Sequence, residues 1–268
     1  MKIAAVGDNC IDHYYLTNQS YPGGNSVNVS VYVRRLGEQS SYVGAVGNDE
    51  NGRFLQKALA DKGVDVSHLH VLPGATAVTR VRLLDGDRQF DGYDEGVLAD
   101  FRLSQEDISF IASHDLMFTG LWGKREKDLP ALKAAGVKIA FDFANKYDHP
   151  IVRQALPWVD YAFFSADGLE ESVEAFLRRV YSQGPRYVIC TMGEQGSMVY
   201  DGQRFYSFGI IPCQVVDTMG AGDSYIAGFL TSHLQGCAIP QAMEAGARCS
   251  SETLQYFGGW ELERGNKP

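Results

Sequence analysis

Residues 3–6 form a short apolar run stopped by Gly7, which fits a buried strand. Residues 25–36 place Val27, Val31 and Leu36 at near-helical spacing before Gly37, so a helix is expected there. Residues 41–46 read as a strand, and residues 49–62 as a helix with Phe54, Leu55, Ala58 and Leu59 on one face. The texture then changes. Residues 75–84 are β-branched and partly alternating, Asp85-Gly86-Asp87 is a turn signal, and residues 88–93 continue the pattern, which predicts a hairpin. The polar stretch 12–20 is expected to add to the same small sheet.

Alternation resumes with Ser104 and Asp107 as a helix-opening cap. Strands are expected at 115–118, 137–143, 159–164 and 187–191, and helices at 127–135 and 169–181. A hairpin about Asp201-Gly202 spans 196–208, residues 210–216 read as a further strand, and helices follow over 223–235 and 240–256. Repeated β-α units imply an α/β fold with a mostly parallel sheet covered on both faces. Ligands in such folds sit beyond the carboxyl ends of the strands. No repeat or linker interrupts the pattern. Residues 1–268 are expected to form one domain, with small-sheet strands inserted at about 12–20 and 75–93.

Composition narrows the function classes. Of 268 residues, 45% are hydrophobic and 21% charged, enough to bury a large core. A net charge of −9 speaks against a general nucleic-acid binder. Five scattered cysteines without a C-x-x-C pair suit reduced thiols. The amino-terminal apolar run is too short for a signal peptide, and no segment reaches the ~20 apolar residues of a membrane helix. A cytoplasmic location without membrane association is therefore expected. His68 and His70 alternate on one face of a possible strand, but no third ligand follows at a recognisable spacing, so they read as a surface pair.

The strongest chemical signal is D-T-M-G-A-G-D at residues 217–223, between an apolar run and an amphipathic helix. Glycines there uncover backbone N–H groups at a helix N-terminus, where an anion such as phosphate is stabilised. Asp223 can cap that helix, or accept a proton from an attacking hydroxyl beside the phosphate. A P-loop is absent, and Tyr225 stands where the third glycine of a dinucleotide fingerprint would fall. No H-E-x-x-H or G-x-S-x-G supports a hydrolase.

D-T-M-G-A-G-D resembles the C-terminal signature of the ribokinase-like (PfkB) carbohydrate kinases. G-G-N-S-V-N-V-S-V-Y-V-R-R-L-G at 23–37 is similar to their N-terminal signature, and Y-V-G-A-V-G-N-D-E-N-G follows at 42–52. The resemblance implies a three-layer α/β/α ribokinase-like fold with a small β-sheet lid. It implies ATP-dependent phosphorylation of a sugar hydroxyl, with Asp223 as general base and Gly220, Ala221 and Gly222 lending N–H groups to the transferring phosphate. Asp12, Gly24 and Asn28 would bind the sugar, and Asn25 would serve as a helix cap. Thr191, Gly193 and Gly196 in T-M-G-E-Q-G would line the ATP site, with a plain turn as the alternative. Glu170 would hold Mg2+ through water, while Asp167 stands where relatives carry Asn. Asp217 and Thr218 would either form a K+ site or brace the loop.

The runs G-D-N-C-I-D, D-E-G-V-L-A-D-F, F-D-F-A-N-K-Y-D and Q-Y-F-G-G-W narrow the resemblance to members that phosphorylate O6 of fructosamines such as fructoselysine. Arg80, Arg82, Asp91, Tyr93 and Glu95 are the candidates for the amino-acid end of such a substrate. The lid would exclude water and pair two subunits into a homodimer. The alternatives are a kinase for another sugar or a nucleoside, such as ribose or fructose, and a binding protein that kept the fold without catalysis.

Overall fold

The computed structural model describes residues 1–84 and 87–261, so Asp85 and Gly86 of the expected turn lie outside the described residues. In chain order the strands are β1 (Lys2–Val6), β2 (Cys10–Tyr14), β3 (Gln19–Gly23), β4 (Gln39–Gly47), β5 (Leu69–Leu72), β6 (Val78–Leu84) and β7 (Asp87–Asp94). They continue with β8 (Leu116–Gly120), β9 (Ile139–Asp142), β10 (Tyr161–Ser165), β11 (Tyr187–Thr191), β12 (Ser197–Tyr200) and β13 (Phe205–Phe208). The helices are α1 (Asn25–Arg35), α2 (Glu50–Asp61), α3 (Gln105–Ala112), α4 (Leu129–Ala134), α5 (Pro150–Ala155), α6 (Val173–Tyr181), α7 (Ala221–Leu234) and α8 (Ile239–Thr253).

The large sheet runs β13-β12-β11-β10-β9-β8-β1-β4-β5, parallel from β11 to β5, with β12 and β13 antiparallel at one edge. Both of its faces are apolar, as a parallel sheet between helices requires. On one face Val27, Val31, Leu55, Leu59, Ile226, Phe229 and Met243 bring α1, α2, α7 and α8 against the strands. On the other, Ile111, Leu132, Val152 and Phe176 do the same for α3 to α6. This is the expected three-layer α/β/α arrangement.

The small sheet has the order β3-β2-β6-β7 and contains both segments expected to form it. Its central pair, β2 and β6, is parallel, and the β6–β7 register shifts at Arg80/Val81.

One expectation fails outright. Residues 210–216 form no strand, although I-I-P-C-Q-V-V has strand-like composition. Pro212 cannot donate to a ladder, and Ile210, Val215 and Val216 stay more than half exposed, so no face of the segment is buried. Its end is tied instead to α8, where Val216 and Asp217 N–H groups donate to Leu254 O at 2.7 and 3.3 Å. Helix α6 also starts later than expected, because Ser172 Oγ accepts from Ala175 N at 3.3 Å and fixes the first turn there.

Candidate active site

At the carboxyl end of β1 the chain turns through Asp8 and Asn9 toward the small sheet, then returns through β3 into α1. Gly24 sits between at φ 111°, and a side chain on it would lie 2.6 Å from Asn9 Cα. Only glycine lets the two loops close this tightly. Helix α1 has no cap from Gly24 itself. Asp8 supplies one from across the turn, its Oδ2 accepting from Asn25 N at 2.7 Å and its Oδ1 from Ser26 N and Ser26 Oγ at 3.3 and 2.9 Å.

That arrangement frees the Asn25 side chain and overturns its expected role as a cap. Its Nδ2 donates to Asp223 Oδ1 at 2.7 Å and to Asp142 Oδ2 at 2.9 Å. One turn later, Asn28 Nδ2 donates to Asp223 Oδ2 at 2.7 Å. The indole N–H of Trp260 donates to Asn28 Oδ1 at 3.0 Å. An indole nitrogen can only donate, so the Asn28 amide must present its oxygen to Trp260 and its nitrogen to Asp223.

Asp223 lies in the first turn of α7. Burial pushes its carboxyl up to about 7, and the neighbouring Asp142 and Asp8 add to the rise against the two amide bonds. Asp142, at the end of β9, is pushed up to about 6 by burial, while the bonds from Ala144 N and Asn25 oppose the shift. Burial raises Asp8 as well. Three carboxylates thus bond one asparagine, and burial raises all three above the ordinary carboxylate range.

The loop before α7 is fixed from two sides. Gly220 takes φ 75°, and a side chain there would meet Tyr32 Oη at 2.5 Å. Tyr32 also donates to the carbonyl of Gly259. The Asp217 carboxylate accepts from Met219 N at 3.1 Å and Gly258 N at 2.7 Å, which ties the loop to the C-terminal segment. These bonds brace the loop, one of the two roles expected of Asp217; Thr218 beside it is exposed. Ala221 N donates to Thr218 O at 3.3 Å, and the first intrahelical bond is Ser224 N to Gly220 O. The N–H groups of Gly222 and Asp223 have no acceptor inside the helix. A side chain on Gly222 would meet nothing within 4 Å, so this end of α7 opens outward and fits an anion.

Asp12 lies on β2, buried, with its Oδ1 accepting from the Cys10 thiol at 3.3 Å. The negative charges of Asp12 and Asp8 both act on Cys10, which places Asp12 beside the same cluster. Asp8, Tyr93, Glu95, Trp122 and Lys124 all line one small cavity. Glu95 and Lys124 pair across it. Arg82 and Asp91 are committed to each other, and Tyr15 donates to Asp91 at 2.6 Å.

Thr191, Gly193 and Gly196 occupy the turn after β11, where Met192 N donates to Gly196 O at 2.8 Å and Thr191 Oγ1 to Phe164 O at 3.4 Å. Glu170 is exposed beyond the end of β10. Asp167 accepts from Asn145 Nδ2 at 3.3 Å. Among the described residues these groups share no hydrogen bond with the Asp223 cluster; they sit farther along the same carboxyl-end rim.

Sequence reasoning did not assign Asp8, Asp142 and Trp260 a role. Asp142 and Trp260 stand in F-D-F-A-N-K-Y-D and Q-Y-F-G-G-W, runs that sequence reasoning used only as marks of likeness.

Comparison with known proteins places the chain among sugar kinases. The chain is 45% identical over 258 residues to fructoselysine 6-kinase of Shigella flexneri, covering 96% of this chain and 99% of that one. It is 37% identical to a fructosamine kinase of Bacillus subtilis, covering 97% and 93%. The structure of Arabidopsis thaliana ribokinase complexed with ribose and ATP superposes with a TM-score of 0.86 at 21% identity, covering 96% and 93%. The family model for pfkB family carbohydrate kinases matches residues 3–262, and the chain belongs to that family.

Proposed function

We propose that this chain transfers the γ-phosphate of ATP to O6 of fructoselysine or a related fructosamine. The observation that carries the proposal is the Asp223 carboxylate at the N-terminus of α7, gripped by Asn25 and Asn28 and held near pH 7. Phosphoryl transfer needs in-line positioning, charge neutralisation and a group that takes the hydroxyl proton. Asp223 is the proton acceptor, and the two amides fix its rotamer without occupying all of its lone pairs. Gly222 and Asp223 N–H groups, with the helix dipole, steady the transferring phosphate; Gly220 shapes the turn that presents them. Ala221 contributes less, since its N–H is turned to Thr218 O.

Asp12, Gly24 and Asn28 form the sugar side. Asn28 acts there through Asp223 and Trp260 as much as through any direct contact. Thr191, Gly193, Gly196 and Glu170 form the nucleotide side. Magnesium, carried by ATP, would neutralise phosphate charge, with the exposed Glu170 carboxylate as its nearest protein partner through water. Potassium at Asp217 and Thr218 would have to share carboxylate oxygens already bonded to Met219 and Gly258 N–H groups. The amino-acid end of the substrate would have to part the Glu95–Lys124 ion pair, whose opposite charges match an α-ammonium and an α-carboxylate. The small sheet is the lid over one domain and the contact between two subunits, and the enzyme works in the cytoplasm.

ADP release with MgATP and a panel of fructoselysine, other fructosamines, fructose, ribose and adenosine tests the reading. Turnover with the fructosamines is expected. Preference for ribose or adenosine overturns the substrate, and no turnover with any member overturns the kinase. Asp223→Asn should lower kcat by at least ~10²–10⁴-fold while ATP still binds.

A further inference from the structure

His70 lies on β5, the outermost strand of the large sheet, and His68 in the turn just before it, at the opposite edge from β13. Their sequence offers no third ligand, but the fold brings one. Asp107 of α3 is buried beneath them, only 1% exposed, and its Oδ1 lies 2.8 Å from His68 Nδ1 and 2.9 Å from His70 Nε2. The three candidate donor atoms all fall within 4.8 Å of one another. The other carboxylate oxygen, Oδ2, accepts from Ser104 N and Ser104 Oγ at 2.8 and 2.7 Å, which locks the direction of Oδ1. Phe110 stacks on the His68 ring at 3.8 Å between centroids, and Phe101 packs against His70 at 5.4 Å, so both imidazoles are held from behind. His114, the further titratable group touching this wall, is committed to Ser41 Oγ and Phe110 O.

We propose that His68 Nδ1, His70 Nε2 and Asp107 Oδ1 form a binding site for a divalent transition-metal ion, with Zn2+ as its best match. Two imidazole nitrogens and one carboxylate oxygen are the donor set that such an ion prefers over calcium or magnesium. In tetrahedral coordination with metal–ligand bonds of about 2.0–2.2 Å, donors sit about 3.3–3.5 Å apart. Each imidazole therefore needs to open from Asp107 by about half an ångström, and the two ring nitrogens, within 4.8 Å of each other, need to settle at the same spacing. The hydrogen bonds from Ser104 to the carboxylate provide the outer support that ordered metal sites require. Binding exchanges tautomers and releases no net proton from neutral rings. His68 moves its proton from Nδ1 to Nε2, His70 moves its own from Nε2 to Nδ1, and the vacated lone pairs take the ion. The fourth position faces solvent and takes a water. The ion would staple β5, an edge strand with a single neighbour, to α3.

The test uses the whole chain, stripped with a chelator and titrated with Zn2+ against a chromophoric competitor. One equivalent should bind with submicromolar affinity and raise Tm. His70→Ala, at the more exposed of the two histidines, should weaken that binding at least 100-fold, with turnover of MgATP and sugar unchanged. Nitrogen-resolved NMR of the imidazoles should show both tautomers exchange on Zn2+ addition. Failure of the native chain to bind zinc at micromolar free concentration overturns the proposal. So does undiminished binding by His70→Ala, which would place the ion on cysteine thiols instead.

Discussion

Asp223 accepts two amide hydrogen bonds, yet burial and two nearby carboxylates still hold its proton to about 7. The acid limb of kcat/KM should therefore have a midpoint near pH 7, with activity rising as Asp223 loses its proton; a limb near 4 would show that another group is the base. The sign for stability is opposite. A carboxyl raised in the folded chain keeps a proton that the unfolded chain has released, so this group makes folding less favourable as pH climbs from about 4 to about 7. Asn28→Ala removes the largest interaction that opposes the rise. Its acid limb should move upward by about one pH unit, and kcat should fall because the carboxylate loses a support. Trp260→Phe, which removes the bond that Trp260 makes to Asn28, should move the limb in the same direction by releasing the Asn28 amide to turn. An unchanged profile would mean that Trp260 serves packing alone. The motif marked Asn28 as a site residue but gave no sign of its bonds to Asp223 and Trp260, and it misplaced Asn25 altogether. After two glycines Asn25 reads as a cap, and only Asp8, 17 residues upstream, shows that the cap is already supplied.

At the scale of the elements, the helix N-terminus of α7 and the turn after β11 were both legible, because glycines mark them in sequence. The mostly parallel sheet and its burial on both faces followed from continuous apolar runs such as residues 139–141 and 161–164, whereas the order of its strands is set by long-range pairing that no local run encodes. The segment 210–216 was misread because composition reports β-propensity but not the presence of a partner strand. Asp142 escaped notice for a related reason: it reaches Asn25 across 117 residues, and no local pattern encodes that contact. The turn that carries Gly196 offers a clean test. At φ 85° and with a would-be Cβ 2.1 Å from the Phe208 carbonyl oxygen, Gly196→Ala must displace the β12–β13 hairpin. A loss of about 1–3 kcal/mol, read as a lower denaturation midpoint, is expected, with weaker ATP binding if this turn lines the nucleotide site.

At the scale of the molecule, one large sheet carries the chemistry at a single rim while its two faces supply the stability. Phe118, on β8 near the middle of the sheet, is fully buried. Phe118→Ala should cost about 3–5 kcal/mol in chemical denaturation, a large share of the 5–15 kcal/mol typical of folded proteins. A variant that kept native stability would show that the sheet repacks around the cavity. A dimer through the small sheet predicts that sedimentation gives twice the 29.5 kDa chain mass, and that Leu16→Asp, at an exposed position between β2 and β3, restores the monomer. A monomeric native chain would remove the small sheet from that role and leave it as a lid.

The contact of Trp260 with Asn28 spans 232 residues, and that of Asn25 with Asp223 spans 198. During synthesis, therefore, the proposed sugar side of the cleft is made first and waits for its proposed base until every strand of the sheet has been made. The base in turn waits for the tryptophan that orients its holder. On the proposed assignment, a nascent chain has no complete Asn25–Asn28–Asp223–Trp260 cluster until translation has passed residue 260, so the order of synthesis itself would keep unfinished copies silent.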